Sequence, residues 1–371
     1  MDKLHRERLK DIQEKREKVL SGGVNCIPSP FRSFREEFPG IEQGKYYLVS
    51  GNEKSAKSQI TDFLFLLSPI IYAFNNPDKV RLKILYFSLE MAVQEKYDQL
   101  TCFWIYWHTG GRIRVDSSQL NSINKPLGEE VIELLKSEEY IRFFNFLEEN
   151  VIFDEKSSNP FGIYKACREF AEQRGHYVYK TVKWRNEITG EYEDKKVIDH
   201  FEKDDKDEYW IAIVDHLSLL SSEKGMNLRE SIGKFSSKDC VNLRNYYKFT
   251  IVNIQQQSAE SQSNETFKLD RLTPHPGNLA ENKSTKNDLN VMLGIFSPYR
   301  FKKSTWEKYN INLFQDNIRF LEVVLNRNGR TGGTCALYFD GAVNFFQELP
   351  SPSSPNIQVW VEKAKRAQGL C

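Results

Sequence analysis

The sequence lacks any excess of charge: 52 Lys and Arg stand against 51 Asp and Glu, leaving a formal net charge of +1. No global field therefore draws the chain onto nucleic acid or an acidic membrane, and any polyanion has to be held by a local patch. Paired cysteines are missing too. Cys26, Cys102, Cys167, Cys240, Cys335 and Cys371 lie far apart with no C-x-x-C, which argues against a zinc knuckle or a compact disulfide framework and reads as reduced thiols. Long apolar runs are absent as well: Phe63 to Phe74 is the most apolar segment, and it is too short and too interrupted to span a bilayer. No signal-peptide pattern precedes the first domain. A soluble, cytoplasmic protein without a membrane partner is expected.

What is present begins with a charged segment, residues 2–20, whose thin apolar stripe of Leu4, Leu9, Ile12, Val19 and Leu20 ends at Ser21-Gly22-Gly23, a helix stop. Such a helix cannot bury itself alone. It is either a solvated terminus or an arm that docks on a neighbouring subunit. Residues 23–350 read as one domain, with 1–22 as the arm and 351–371 as a tail. Strand-like runs at Tyr46–Ser50, Leu82–Ser88, Val151–Asp154, Trp210–Val214 and Phe249–Ile254 are apolar almost throughout and alternate with helical stretches, among them 57–74 and 161–174. That pattern predicts an α/β fold with a mostly parallel sheet covered on both faces. Two alternating stretches around Asn186 to Gly190 read as a β-hairpin insertion over about 177–208. Residues 258–288 are polar and without period, which predicts a long mobile loop. Runs at Arg319–Leu325 and Thr334–Phe339 flank "NRNGRTGG" as a C-terminal β-hairpin. The tail "PSPSSPN" reads as a linker, with a short helix over 359–368. The aromatic run "CFWIYWHTG" (102–110) reads as the packed side of a helix.

The stretch "GKYYLVSGNEKSAKSQI" carries the chemistry. A strand leads into Gly51, Asn52, Glu53, Lys54, Ser55, Ala56, Lys57 and Ser58, which is a phosphate-binding loop except that Ala56 stands where the pattern asks for glycine. Such a loop converges backbone N–H groups and a helix N-terminus on phosphate oxygens, the lysine adds a point charge, and the serine hydroxyl reaches Mg²⁺. Hydrolysis then needs one carboxylate to activate water and another to hold the metal shell, both at carboxyl ends of neighbouring strands. Glu90, after "ILYFSL", and Asp215, after "WIAIV", stand at such ends.

At these residues the sequence resembles the DnaB-like, RecA-fold replicative helicases. "LYFSLEM" (85–91) is similar to their second ATPase motif, "IAIVDHLSLL" (211–220) to the magnesium-Asp strand, "IVNIQQQS" (251–258) to the sensor-glutamine strand, and "VVLNRNGRTGGTCALYFDG" (323–341) to the terminal hairpin, in order from about 23 to 348. The resemblance implies a RecA-like ATPase core that takes ATP and Mg²⁺. Lys57 and Ser58 would bind phosphate and metal, and Glu90 would polarise the attacking water. Asp215 would hold the magnesium shell, Gln255 would sense the γ-phosphate, and Arg327 would act as an arginine finger on a neighbouring subunit's ATP. It further implies a homo-oligomeric ring, a hexamer, moving 5′ to 3′ on single-stranded DNA, with a primase or helicase loader as further partner. Two loops would line the channel and offer Lys224, Arg229, Lys268, Arg271, Lys283 and Lys286 to one strand's phosphates. Departures from the family are Ala56, Leu325 in place of a basic residue, His216 in place of tyrosine, and the absent amino-terminal primase-interacting domain. The first two touch the phosphate, so an ATP-binding ring that hydrolyses weakly or not at all, serving as a structural or DNA-loading protein, is the alternative. A recombination or regulatory ATPase would share the fold but not "SLEM" together with "NRNGRTGG".

Overall fold

The structure is a computed structural model that describes residues 3–185, 190–262, 266 and 272–369. Its centre is a sheet of nine strands: β1 (Tyr46–Gly51), β2 (Arg81–Ser88), β3 (Val151–Asp154), β4 (Glu208–Asp215), β5 (Thr250–Gln256), β6 (Val291–Phe296), β7 (Ile318–Asn326), β8 (Thr334–Asp340) and β9 (Phe345–Glu348). Across the sheet they run β9-β8-β7-β6-β1-β5-β4-β2-β3. From β6 to β3 all neighbours are parallel, and β7, β8 and β9 continue the other edge antiparallel.

Every residue of β1 is buried, because helices cover both faces. Tyr47 and Val49 face a core shared with residues 57–75 and the helices Val93–His108 and Glu138–Asn150. Tyr46 and Leu48 face a second core made with the helix Pro160–Glu172 and residues 228–245. A strand buried on both sides cannot alternate polar with apolar, which is why these runs are continuous. In the helix Val93–His108, residues 102 to 106 of the aromatic run are buried, as core packing requires.

Four features differ from the sequence expectation. The helix after the phosphate loop is not uniform: residues Asp62–Leu67 form a π-helical segment between α-helical turns. The sequence reading passes over β6, "VMLGIF", an apolar run masked by the polar stretch before it; it is one of the two parallel neighbours of β1. The described parts of 258–288 are packed rather than free, with Leu272, Leu279 and Thr285 buried. The tail's expected helix forms, at Ile357–Ala367, but it packs on the domain: Val361 and Ala364 are buried with Phe314, Phe320 and Tyr338 in a third core that seals β7 and β8.

The insertion is an antiparallel hairpin, Gly175–Arg185 with Tyr192–Lys203, largely exposed along its length; residues 186–189 of its expected turn lie outside the described residues. The N-terminal helix Lys3–Leu20 leaves Leu9, Ile12, Val19 and Leu20 exposed and meets the domain through Lys18 and Asp207 and through Asn25 Nδ2, which donates to Lys15 O at 2.9 Å. No helix among the described residues is long and apolar enough to cross a membrane.

Candidate active site

The parallel strands β1, β2, β4 and β5 end at one edge of the sheet, in register: Ser88 lies opposite Asp215 and Gly51 opposite Gln256. Side chains from these ends converge on a cleft of about 600 Å³ that Lys54, Ala56, Lys57, Ser58, Glu90, His216 and Gln256 help to line.

The loop's backbone is set by two positions. A Cβ on Gly51 would lie 2.4 Å from Ser55 Oγ and 2.6 Å from Ile295 O, so only glycine fits there. Ala56 caps the helix with φ 76° and ψ 37°, the left-handed conformation that glycine usually supplies. An L-residue pays roughly 1–2 kcal/mol there, yet the loop closes and Ile60 N donates to Ala56 O at 2.9 Å. The helix starts with no side-chain cap at Ala56, so its first N–H groups have no side-chain acceptor from that residue.

Lys57 is buried and its Nζ donates to Asn52 O at 2.9 Å, bridging the loop. Burial pulls its pKa below the ordinary value, and Glu90, Asp215 and Glu53 oppose that shift. Ser58 Oγ donates to Asp215 Oδ1 at 2.8 Å, so the hydroxyl and the carboxylate meet at one point. Glu90 does not end a strand. It sits in the bend after β2, which Leu89 N ties to Asp215 O at 3.0 Å. Its carboxylate is half exposed, 3.9 Å from Nε2 of the buried His216.

Gln255 does not reach the cleft. It is fully buried and Nε2 donates to the carbonyls of Ala280 and Asn282. Successive strand residues face opposite sides, so its neighbour Gln256 lines the cleft instead. Arg327 lies at the other edge of the sheet. Arg327 N donates to Asn290 O, and Asn290 N to Tyr46 O, the first residue of β1; Gly51 lies five residues further along that strand, about 16 Å at ~3.3 Å per residue. The Arg327 side chain is exposed and donates to Asn287 O. It is out of reach of its own chain's phosphate loop. Leu325 is half-buried against the second core and brings no cation.

The two basic segments meet: Asn282 Nδ2 donates to Arg229 O at 2.8 Å. Lys224, Arg229 and Lys283 are exposed and Lys286 is half-buried, with Lys283 3.6 Å from Glu260. Lys268 and Arg271 lie outside the described residues.

Several residues escape sequence reasoning. Arg319 enters the cleft wall from the start of β7, buried, with Nε donating to Ser55 O at 3.1 Å and Nη2 to Asp316 Oδ1 at 3.1 Å. Burial pushes its pKa down to about 10. Arg300 joins through the same Asp316, at 3.5 Å. Asp62, Tyr86 and Lys96 lie behind Asp215. A charge set among apolar residues, as in "IRFL" or "ITDFLFLL", is the one signal that singles out Arg319 and Asp62.

No protein-family model and no curated protein matches the chain. Among solved structures, the one described as the ATPase domain of G40P superposes with a TM-score of 0.62 at 16% identity, covering 94% of this chain and 100% of that one. The chain has a RecA-like fold. A structure described as a DnaB-like replicative helicase and its interactions with primase superposes with a TM-score of 0.59 at 15% identity, over 93% of this chain and 66% of that one. In the RecA-like fold the crevice outside the carboxyl ends of the parallel strands is where ligands bind, and it is there that Lys57, Ser58, Glu90 and Asp215 converge.

Proposed function

We propose that the chain is an ATP-driven DNA helicase or translocase that works as a homo-oligomeric, hexameric ring on single-stranded DNA. The observation that carries this reading is the meeting of Ser58 Oγ with Asp215 Oδ1 at 2.8 Å, beside Lys57 and under Glu90, on a RecA-like sheet. A hydroxyl and a carboxylate in contact, at an uncapped helix start, fit magnesium and a triphosphate: hard oxygen donors for the cation and N–H groups for the anion. Bound there, Mg²⁺ and ATP would supply a neutralised, transferable phosphoryl group.

In this reading Lys57 and the loop N–H groups of residues 53–58 orient the phosphates, and Ser58 and Asp215 hold the metal shell. Glu90, facing the cleft from a bend rather than from a strand, accepts a proton from the attacking water. Gln256 is the glutamine at the cleft, while Gln255 fastens the segment that bears Lys283 and Lys286. That pairing gives nucleotide state a direct mechanical path to the DNA-contacting loops. Arg327, too far from its own loop, stabilises developing charge in a neighbour's site, so hydrolysis requires an assembled ring. The exposed stripe of the N-terminal helix clasps the adjacent subunit. Primase or a loader is the further partner in this reading; the DnaB-like structure is described with primase.

A second reading is a ring that binds ATP but hydrolyses it weakly. The strained Ala56 and the uncharged Leu325 favour it. Strand separation distinguishes the two. A forked duplex with only a 5′ single-stranded tail should be opened in ATP and Mg²⁺, and one with only a 3′ tail should not. Opening of both forks alike contradicts the polarity, and opening of neither favours the second reading.

A further inference from the structure

Behind the cleft lies a group of four buried polar side chains drawn from four separate elements. Asp62 comes from the helix that begins at Lys57, Tyr86 from β2, Lys96 from the first turn of the helix Val93–His108, and Asp215 from the end of β4. None is more than 4% exposed. Lys96 Nζ donates to Asp62 Oδ2 at 2.8 Å and to the Tyr86 hydroxyl at 3.1 Å. That hydroxyl lies 2.8 Å from Asp62 Oδ1 and 3.0 Å from Asp215 Oδ2. Its one proton serves one carboxylate at a time. Lys96 already donates to Asp62, which frees that proton for Asp215; the carboxylate is then held at both oxygens, Oδ1 by Ser58 and Oδ2 by Tyr86.

We propose that Asp62, Tyr86 and Lys96 form a positioning network that fixes the orientation of Asp215 toward the Mg²⁺ of a bound nucleotide and sets the spacing of the three segments that bear Lys57, Glu90 and Asp215. The inference rests on the nucleotide-binding reading of the cleft.

Three considerations carry it. First, a buried ion pair contributes little to stability compared with apolar residues of the same volume, so fold stability alone does not call for Asp62 and Lys96 in an otherwise apolar core. Second, the links run between the elements that have to stay in register: the phosphate-loop helix, the strand ending at Asp215 and the helix that follows the Glu90 bend. Third, outer-shell partners of a metal-ligating carboxylate set its orientation, and their loss lowers metal affinity about 10- to 100-fold. Tyr86 occupies that place relative to Asp215, on the oxygen that Ser58 leaves open.

Tyr86→Phe removes one hydroxyl and keeps the packed ring. Binding of a fluorescent ATP analogue would be measured in Mg²⁺ and in EDTA, beside thermal unfolding of each protein. The network predicts that Tyr86→Phe weakens binding in Mg²⁺ by about tenfold or more and leaves EDTA binding unchanged. If Tyr86→Phe does not fold, a double variant, Asp62→Asn with Lys96→Gln, which removes the ion pair that orients the Tyr86 hydroxyl, should show the same selective loss. Equal affinities of unmodified protein and variants in Mg²⁺, or equal losses with and without Mg²⁺, overturn the network while the nucleotide site stands. If the unmodified protein binds no nucleotide in Mg²⁺, the cleft reading and the network fall together.

Discussion

Arg327→Ala should leave ATP binding and ring assembly nearly unchanged while lowering hydrolysis about 10³-fold or more, the scale of a lost arginine finger. The expectation follows from where β7 ends. Because β7 runs antiparallel to β6, its last residue, Asn326, pairs with Val291 at the start of β6, and Arg327 emerges at the sheet edge opposite the cleft. An arginine there is either an ordinary turn residue or a reagent for another subunit's nucleotide. Mixing separates the two. Arg327→Ala subunits keep an intact Glu90, and Glu90→Gln subunits keep an intact Arg327, so a mixed ring contains interfaces with both intact groups. Activity above either parent is the expected result. A loss of less than about tenfold in Arg327→Ala, or mixed rings that form without recovery, would make Arg327 a turn residue and shift the function toward the weakly hydrolysing ring.

The second large effect is expected at Lys57. Its ammonium is buried, spans the loop to Asn52 O, and faces the cleft beside Ser58. A charge-assisted bond in a partly dry site contributes about 1.5–3 kcal/mol, and this cation would meet more than one phosphate oxygen. Lys57→Ala should therefore weaken ATP binding on the order of 100-fold, about 2.7 kcal/mol, and bring calorimetric titrations to a flat line at ordinary concentrations. Unchanged affinity would remove the phosphate-loop assignment altogether. The substitution also deletes the charge that Glu90 and Asp215 act on, so thermal unfolding is needed to show that the loop helix persists.

Much of the parallel sheet was legible because doubly buried strands write themselves as apolar runs: Tyr46–Val49 in β1, Ile84–Phe87 in β2 and Tyr209–Val214 in β4. The strand β6 has the same signature but follows a polar stretch whose packing depends on contacts far away in sequence, such as Asn282 with Arg229. The positions of Lys57, Ser58 and Asp215 follow from motif spacing, since each sits at a strand end or the first helical turn. Gln255 shows the limit of that method. One residue decides which face of β5 a side chain takes, and a run of three glutamines does not disclose its own parity. For the wall of Arg319, Arg300 and Asp316, and for the group behind Asp215, a charge among apolar residues marks Arg319 and Asp62, but buried charges are partnered in three dimensions and nothing local names the partner. The C-terminal helix was legible as a helix, but the Pro and Ser before it hid its packing: Val361 and Ala364 share one face and close the third core.

Single-turnover ATP hydrolysis, followed with and without single-stranded DNA beside a Glu90→Gln control, tests the central claim most directly. The account predicts that bound ATP is hydrolysed by the unmodified protein, that single-stranded DNA speeds the step, and that Glu90→Gln binds ATP normally and leaves it intact. ATP that binds tightly and stays intact under both conditions, or hydrolysis that survives Glu90→Gln unchanged, would contradict it.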